Sequence, residues 1–177
     1  MARRRNAATA RARPDEAPPA PRPEREVKAW KLDPDDSIGY LLRDTYRYFA
    51  RLLGARIEPH GVTMGQWFFL RVLWQQDGLT QAELSNRAGM MTPTTVAALN
   101  TLERKGLIER RAHPTDRRKY NVYLTKAGRQ LERQLLPYAH EVTAIADGTF
   151  SPQKMEETRA ALRTVRANLM AEIERTS

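Results

Sequence analysis

Thr80 to Thr125 reads TQAELSNRAGMMTPTTVAALNTLERKGLIERRAHPTDRRKYNVYLT, and this stretch decides the fold. Thr80 and Glu83 form a T-x-x-E capping box, which predicts a helix start. Ala82, Leu84 and Ala88 give that helix a small apolar face, and Gly89 ends it. Thr92 then predicts the cap of a second helix, with Pro93 at its first position, where the missing N–H costs nothing. Val96, Leu99 and Leu102 are expected to pack inward, and Lys105-Gly106 is the expected stop. Leu107 to Arg111 and Lys119 to Leu124 follow as two extended runs around the loop AHPTDRR. In the second run Tyr120, Val122 and Leu124 alternate with Lys119, Asn121 and Tyr123, the period of a half-buried strand. Helix, turn, helix and basic hairpin is the order of a winged helix-turn-helix, which sets its second helix in the DNA major groove.

The flanks read as helices. Residues 36–53 carry Ile38, Leu41, Leu42, Thr45, Phe49, Leu52 and Leu53 on one stripe, with Asp36 or Ser37 as N-cap and Gly54 as the expected end. Thr63 and Gln66 form another capping box, followed by WFFLRVLW, apolar almost all round and therefore expected to be the central helix. Thr125 is placed to cap a long helix to about Asp147, with Leu131, Leu135, Tyr138, Val142 and Ile145 on its apolar side. Ser151-Pro152 opens a last helix whose stripe is Met155, Leu162, Val165, Leu169 and Ile173, close to a heptad. Stripes of this kind suit packing between helices, across a dimer or within one subunit. The fold class expected is mainly α, with a small β-hairpin wing. Its expected organisation is a disordered arm at 1–29, a dimerisation helix region at 30–61, the winged element at 62–125 and dimerisation helices at 126–177.

Charge narrows the partner. The 177-residue chain has a formal charge of +9. Residues 1–29 hold eight Lys/Arg against four Asp/Glu, and residues 80–126 hold nine against four; the two remaining stretches are balanced. The excess therefore lies in the arm and the winged element, where phosphate backbones are the natural counterpart. The arm is rich in Arg, Ala and Pro and has too few large apolar residues to offset the entropy of ordering. Cysteine is absent, which excludes disulfides and thiolate metal sites and fits a reducing, cytoplasmic setting. His60, His113 and His140 are too scattered for a metal site. No run approaches a membrane span. No nucleophile elbow or phosphate loop points to an enzyme, and no cofactor is expected.

The chain resembles the MarR (multiple-antibiotic-resistance regulator) family over roughly residues 36–175. The resemblance rests on VTMGQWFFLRVL, LTQAELSNRAGM, LERKGLIERR and the wing run PTDRRKYNVYLTKAG. It implies a homodimer joined by the first and last two helices, which presents two winged elements to a palindromic operator on double-stranded DNA. It implies repression relieved by a small molecule, often an aromatic acid; a thioester such as an aryl-CoA is a related candidate. The alternative is a DNA-binding repressor or architectural protein with no effector. On the recognition helix, Thr92, Pro93, Thr94, Thr95, Asn100 and Thr101 are the candidates for groove contacts, and Arg104 and Lys105 for phosphates. At the wing, Arg117 or Arg118 is the candidate for a narrow minor groove. The resemblance makes Asp116 the carboxylate that holds that arginine. Ala97 and Thr101 stand where many members have arginine, and His113 where an aspartate is frequent. The effector pocket would draw on Trp30, Tyr40, Arg43, Tyr46, His60, Trp67 and Arg71, one cation and flat apolar walls for an anionic aromatic ligand.

Overall fold

The computed structural model describes residues 34–116 and 118–176; residues 1–33, Arg117 and Ser177 lie outside them. A short 3-10 turn at Pro34–Asp36 leads into α1, Ile38–Ile57. Ser37 caps α1, its hydroxyl accepting the Tyr40 N–H. Gly54 does not end the helix: it is buried and lies inside α1, and the Glu58 N–H donates to its carbonyl. A Cβ at Gly54 would lie 3.4 Å from the Met64 side chain, so the position packs against the start of the next helix and does not terminate its own.

The helix α2 spans Met64–Gln75 and is the central element foreseen from its sequence. Both arms of the Thr63/Gln66 capping box form. Its Trp67, Phe69, Leu70 and Leu73 are all buried. Leu79–Thr80 forms a two-residue strand, β1, which the sequence did not announce. It lies beside β3 (Tyr120–Leu124) in a sheet of order β1-β3-β2, where β2 is Ile108–Ala112, with Leu79 opposite Val122. Two residues are too short a run for side-chain alternation to register.

Next come α3 at Gln81–Ala88 and α4 at Thr92–Arg104. Thr80 and Glu83 cap α3 reciprocally, and Gly89 closes it in the left-handed region at φ 64°. The start of α4 differs from expectation by one residue. Met91 is the N-cap, without a side-chain hydrogen bond, and Thr92 is already helical. The buried face also shifts: Thr95, Leu99 and Leu102 face the core, while Val96 is 37% exposed. Steps of four and three from Thr95 make as good a helical stripe as one from Val96, and the docking of α4 on α3 selects it.

β2 (Ile108–Ala112) and β3 (Tyr120–Leu124) pair antiparallel; β2 is displaced by one residue from the expected run, and β3 starts one residue later than expected and ends at the same Leu124. Arg110 stands opposite Val122. The long helix α5, Lys126–Asp147, is capped by Thr125 as foreseen. Its first turn presses on the start of the hairpin: a Cβ at Gly128 would lie 2.1 Å from the Leu107 carbonyl oxygen, so only glycine fits. The Gly128 carbonyl accepts the Trp74 indole N–H at 3.0 Å. Asp77 ties the same corner, its carboxylate accepting from the Gly78 and Leu124 N–H groups and from Arg129.

The last helix, α6, runs Pro152–Thr176 and contains no buried residue. Leu162, Leu169, Met170 and Ile173 are exposed, and so are Ile38, Leu41, Leu42 and Leu52 of α1. The core instead runs from the end of α1 through α2, α3, α4 and the sheet to Leu131, Leu135 and Val142 of α5.

Candidate nucleic-acid interface

The recognition helix gains its fixed position from groups that the sequence offered as contacts. Thr95 is fully buried, and its hydroxyl lies 3.0 Å from both the Met91 carbonyl and the Ser85 hydroxyl. Ser85 in turn donates to the Met90 carbonyl at 2.7 Å. Thr95 is therefore a clamp inside the helix-turn-helix, and the expectation that it reaches DNA is corrected. Lys105 is exposed but engaged: its Nζ donates to the Gly61 carbonyl at 2.5 Å and to Gln66 Oε1 at 3.2 Å. It ties the end of α4 to the start of α2.

What remains open on α4 is Thr92, Pro93, Thr94, Val96, Ala97, Asn100 and Arg104. The Asn100 Oδ1 accepts from Arg110 at 2.8 Å, which leaves its amide N–H groups as donors. The Thr101 hydroxyl donates to the Ala97 carbonyl and accepts from Arg104. Arg110 also pairs with Glu103, so one β2 side chain anchors the wing to the recognition helix. Sequence reading missed Arg110, because no periodicity links a strand position to a helix seven residues before it.

The wing tip is set by two side chains. His113 Nδ1 lies 3.3 Å from the Thr115 N–H and 3.2 Å from the Asp116 N–H. Acceptance there places the ring proton on Nε2, and the imidazole does what an aspartate carboxylate does in an Asx-turn. The departure at His113 thus preserves the turn. Asp116 accepts the Arg118 N–H at 3.0 Å, and its carboxylate lies 3.6 Å from Arg118 Nε and 3.5 Å from Lys119 Nζ. The Arg118 backbone N–H, aided by these cations, holds the Asp116 carboxyl below the usual carboxylate range. The Arg118 side chain is 93% exposed. Arg117 lies outside the described residues. Arg110, Arg118 and Lys119 line a concavity of ≈ 320 Å³ with Thr80, Gln81 and Tyr120, a cationic hollow between wing and α3.

The residues proposed for an effector separate into groups. Tyr40, Arg43 and Tyr46 line one open concavity of ≈ 520 Å³ along α1, with Asp44, Arg47 and Ala50. The Arg43 guanidinium stands 5.7 Å from the Tyr40 ring centroid. Trp67 is 2% exposed and packs edge-on to Trp74 at 5.4 Å, so it is a core residue and not a wall of that concavity. Arg71 stands 6.0 Å from the Trp67 ring centroid. His60 meets Tyr138 of α5, Nε2 to hydroxyl, at 3.2 Å. Neither Arg71 nor His60 lines the α1 concavity. Trp30 lies outside the described residues. Among the described residues no cluster of His, Asp and Glu has metal-binding geometry, and no helix is long and apolar enough to cross a membrane.

Comparison with known proteins gives this geometry a context. The sequence model of the MarR family matches residues 62–120. A protein of Thauera aromatica named for transcriptional regulation of the hcr operon is 38% identical over 129 residues, 71% of this chain and 74% of its own. The homoprotocatechuate degradative operon repressor of Escherichia coli is 28% identical over 101 residues, 57% of this chain and 68% of its own. Among solved structures, a MarR transcriptional regulator from Methanosarcina mazei superposes with a TM-score of 0.72 at 32% identity, covering 76% of this chain and 96% of that one. S. aureus MepR, solved in complex with DNA, gives 0.69 at 28% identity over 75% of this chain and 98% of that one. Bordetella bronchiseptica BpsR, whose DNA binding is regulated by 6-hydroxynicotinic acid, gives 0.68 at 25% identity, covering 73% and 98%.

Proposed function

This chain belongs to the MarR family and is a winged helix-turn-helix transcriptional regulator that binds DNA; from that premise we propose that it acts as a homodimeric, effector-controlled repressor of a palindromic operator. The observation that carries the reading is the wing tip, where Asp116 organises Arg118 and Lys119 at the end of a hairpin that Arg110 locks to α4. A pre-positioned arginine at that place suits a narrow minor groove, while α4 enters the adjacent major groove.

The exposed apolar stripes of α1 and α6 support the dimer. Leu42, Leu162, Val165, Leu169 and Ile173 line one concavity of ≈ 550 Å³ rimmed by Arg159, Arg163 and Arg166. A second copy that covers this face places two recognition helices on two half-sites about one helical turn apart. For the effector, the α1 concavity offers two tyrosine rings and the Arg43 cation, chemistry suited to an aromatic acid or its thioester. The homoprotocatechuate repressor and BpsR lend support to an aromatic effector.

The test is a gel-shift titration on an operator fragment. Arg118→Ala should weaken binding by ~1–3 kcal/mol, the scale of one lost specific contact. Unchanged affinity would remove the wing from the mechanism. A thermal-shift series with aromatic carboxylates tests the effector, since a ligand of the folded state raises the Tm.

A further inference from the structure

The exposed face of α4 carries an unusual chemistry for a DNA reader. None of its groove-facing positions before Arg104 is an arginine, lysine, glutamine or aspartate. Part of its polar chemistry is spent inside the protein. Thr95 is buried, the Thr101 hydroxyl donates back to Ala97, and the Asn100 Oδ1 is taken by Arg110. Beside the exposed Thr92, Thr94 and Asn100, the outward face carries a run of carbon: Pro93, Val96 at 37% exposure and Ala97, preceded by Met91 at 78%. Turning its hydroxyl onto the helix leaves Thr101 its methyl group to present. Cations frame this apolar strip, with Arg104 at the helix end and Arg118 and Lys119 at the wing.

We infer that this strip reads the C5-methyl groups of thymines, so that the half-site is recognised through methyl contacts in the major groove in place of bidentate bonds to guanine. The inference rests on the reading of α4 as the groove-entering helix. In the major groove, only thymine among the bases offers an apolar group, and it is matched by alanine, by threonine methyls and by similar carbon surfaces. Guanine presents two acceptors, which arginine or lysine pairs with, and the one such donor on this face, Arg104, stands at its last residue, beyond the carbon strip. The flanking cations complement the phosphates and fix register, whereas the carbon strip between them selects bases. The amide N–H groups of Asn100 and the Thr94 hydroxyl remain as accessory polar contacts.

The experiment begins with selection of operators from a random duplex pool by the full-length protein. Each thymine in the selected half-site is then replaced singly by deoxyuridine, which removes the methyl and keeps every hydrogen-bonding group. At the contacted positions the expected loss is about fourfold in Kd, the worth of one buried methylene. Deoxyuridine in the flanks should change nothing. Val96→Ala should shrink the penalty at one position and leave the others, so the coupling assigns the contact. Equal affinity for thymine and deoxyuridine operators would overturn the methyl reading while leaving the DNA-binding reading intact. Selected half-sites read through guanine, with no thymine opposite α4, would overturn it as well. A pool that yields no enriched duplex would overturn both readings together.

Discussion

The winged element and the α1–α6 face both carry apolar residues at helical spacing, and these end in opposite states. In the winged element Leu84, Leu99, Leu102, Ile108 and Val122 are all buried at 2% exposure or less. On the other face, α6 buries nothing, and Leu169 and Ile173 stand 59% and 63% exposed. The difference is what each stripe meets: the first packs on its own chain, and the second stays largely exposed among the described residues. A stripe of this size left to water is a marker of association. The chain thus divides its apolar residues between a core that sets the shape of the reader and an exposed face, the seam of the proposed dimer, which would set the distance between two readers.

The comparison breaks most sharply at the seam. Leu169→Asp should convert the protein to a monomer in sedimentation and weaken operator binding by about a hundredfold or more, because linked half-site binding is lost. Its thermal unfolding should stay cooperative. A Leu169→Asp protein that remains dimeric would move the interface elsewhere. Next in size is the corner that joins the two regions. Asp77→Ala removes the acceptor of the Leu124 N–H and the partner of Arg129, and should cost about 1–3 kcal/mol in urea unfolding. A loss well below that range would mean the corner holds without its carboxylate.

A smaller effect sharpens the division of labour inside the reader. Lys105→Met should lower the Tm and leave the slope of log K against log salt unchanged, because Lys105 is held by Gly61 and Gln66. Arg104→Ala should reduce that slope by about one, as one released counterion requires. Equal slope changes would return Lys105 to the phosphate contacts. The smallest effect is acid sensitivity at the α3 cap. Hydrogen bonds from the Thr80 hydroxyl and N–H hold the Glu83 carboxyl below the usual carboxylate range. The folded value being the lower, this stabilisation is complete above the unfolded value of roughly 4.3 and is lost as pH falls through the folded one. Glu83→Gln should therefore flatten the acid limb of the Tm-pH profile; an unchanged limb would place the sensitivity in other carboxylates.

Much of the architecture was legible in the sequence because its signals are local. Thr63, Thr80 and Thr125 cap helices three residues ahead of themselves, and Gly89 marks an end that its own backbone requires. The order of helices, the hairpin and the turn at Asp116 followed from such short-range chemistry, together with the match of the wing run to its family. The candidate site was less legible. Thr94 and Thr95 are adjacent, chemically identical and equally suited to DNA, yet one is exposed and the other sealed behind Ser85.

The sequence by itself determined where helices begin, which segment is basic and which stripes are apolar, since each depends on neighbours within a turn or two. Tertiary structure alone decided what those residues face. Lys105 is pulled to a carbonyl 44 residues away, Asp77 is shared with β3 and α5, and His113 closes the wing by lending a lone pair. Hydrogen-bonding groups seek partners wherever the fold brings them, and a distance of 3 Å in space leaves no period in the sequence.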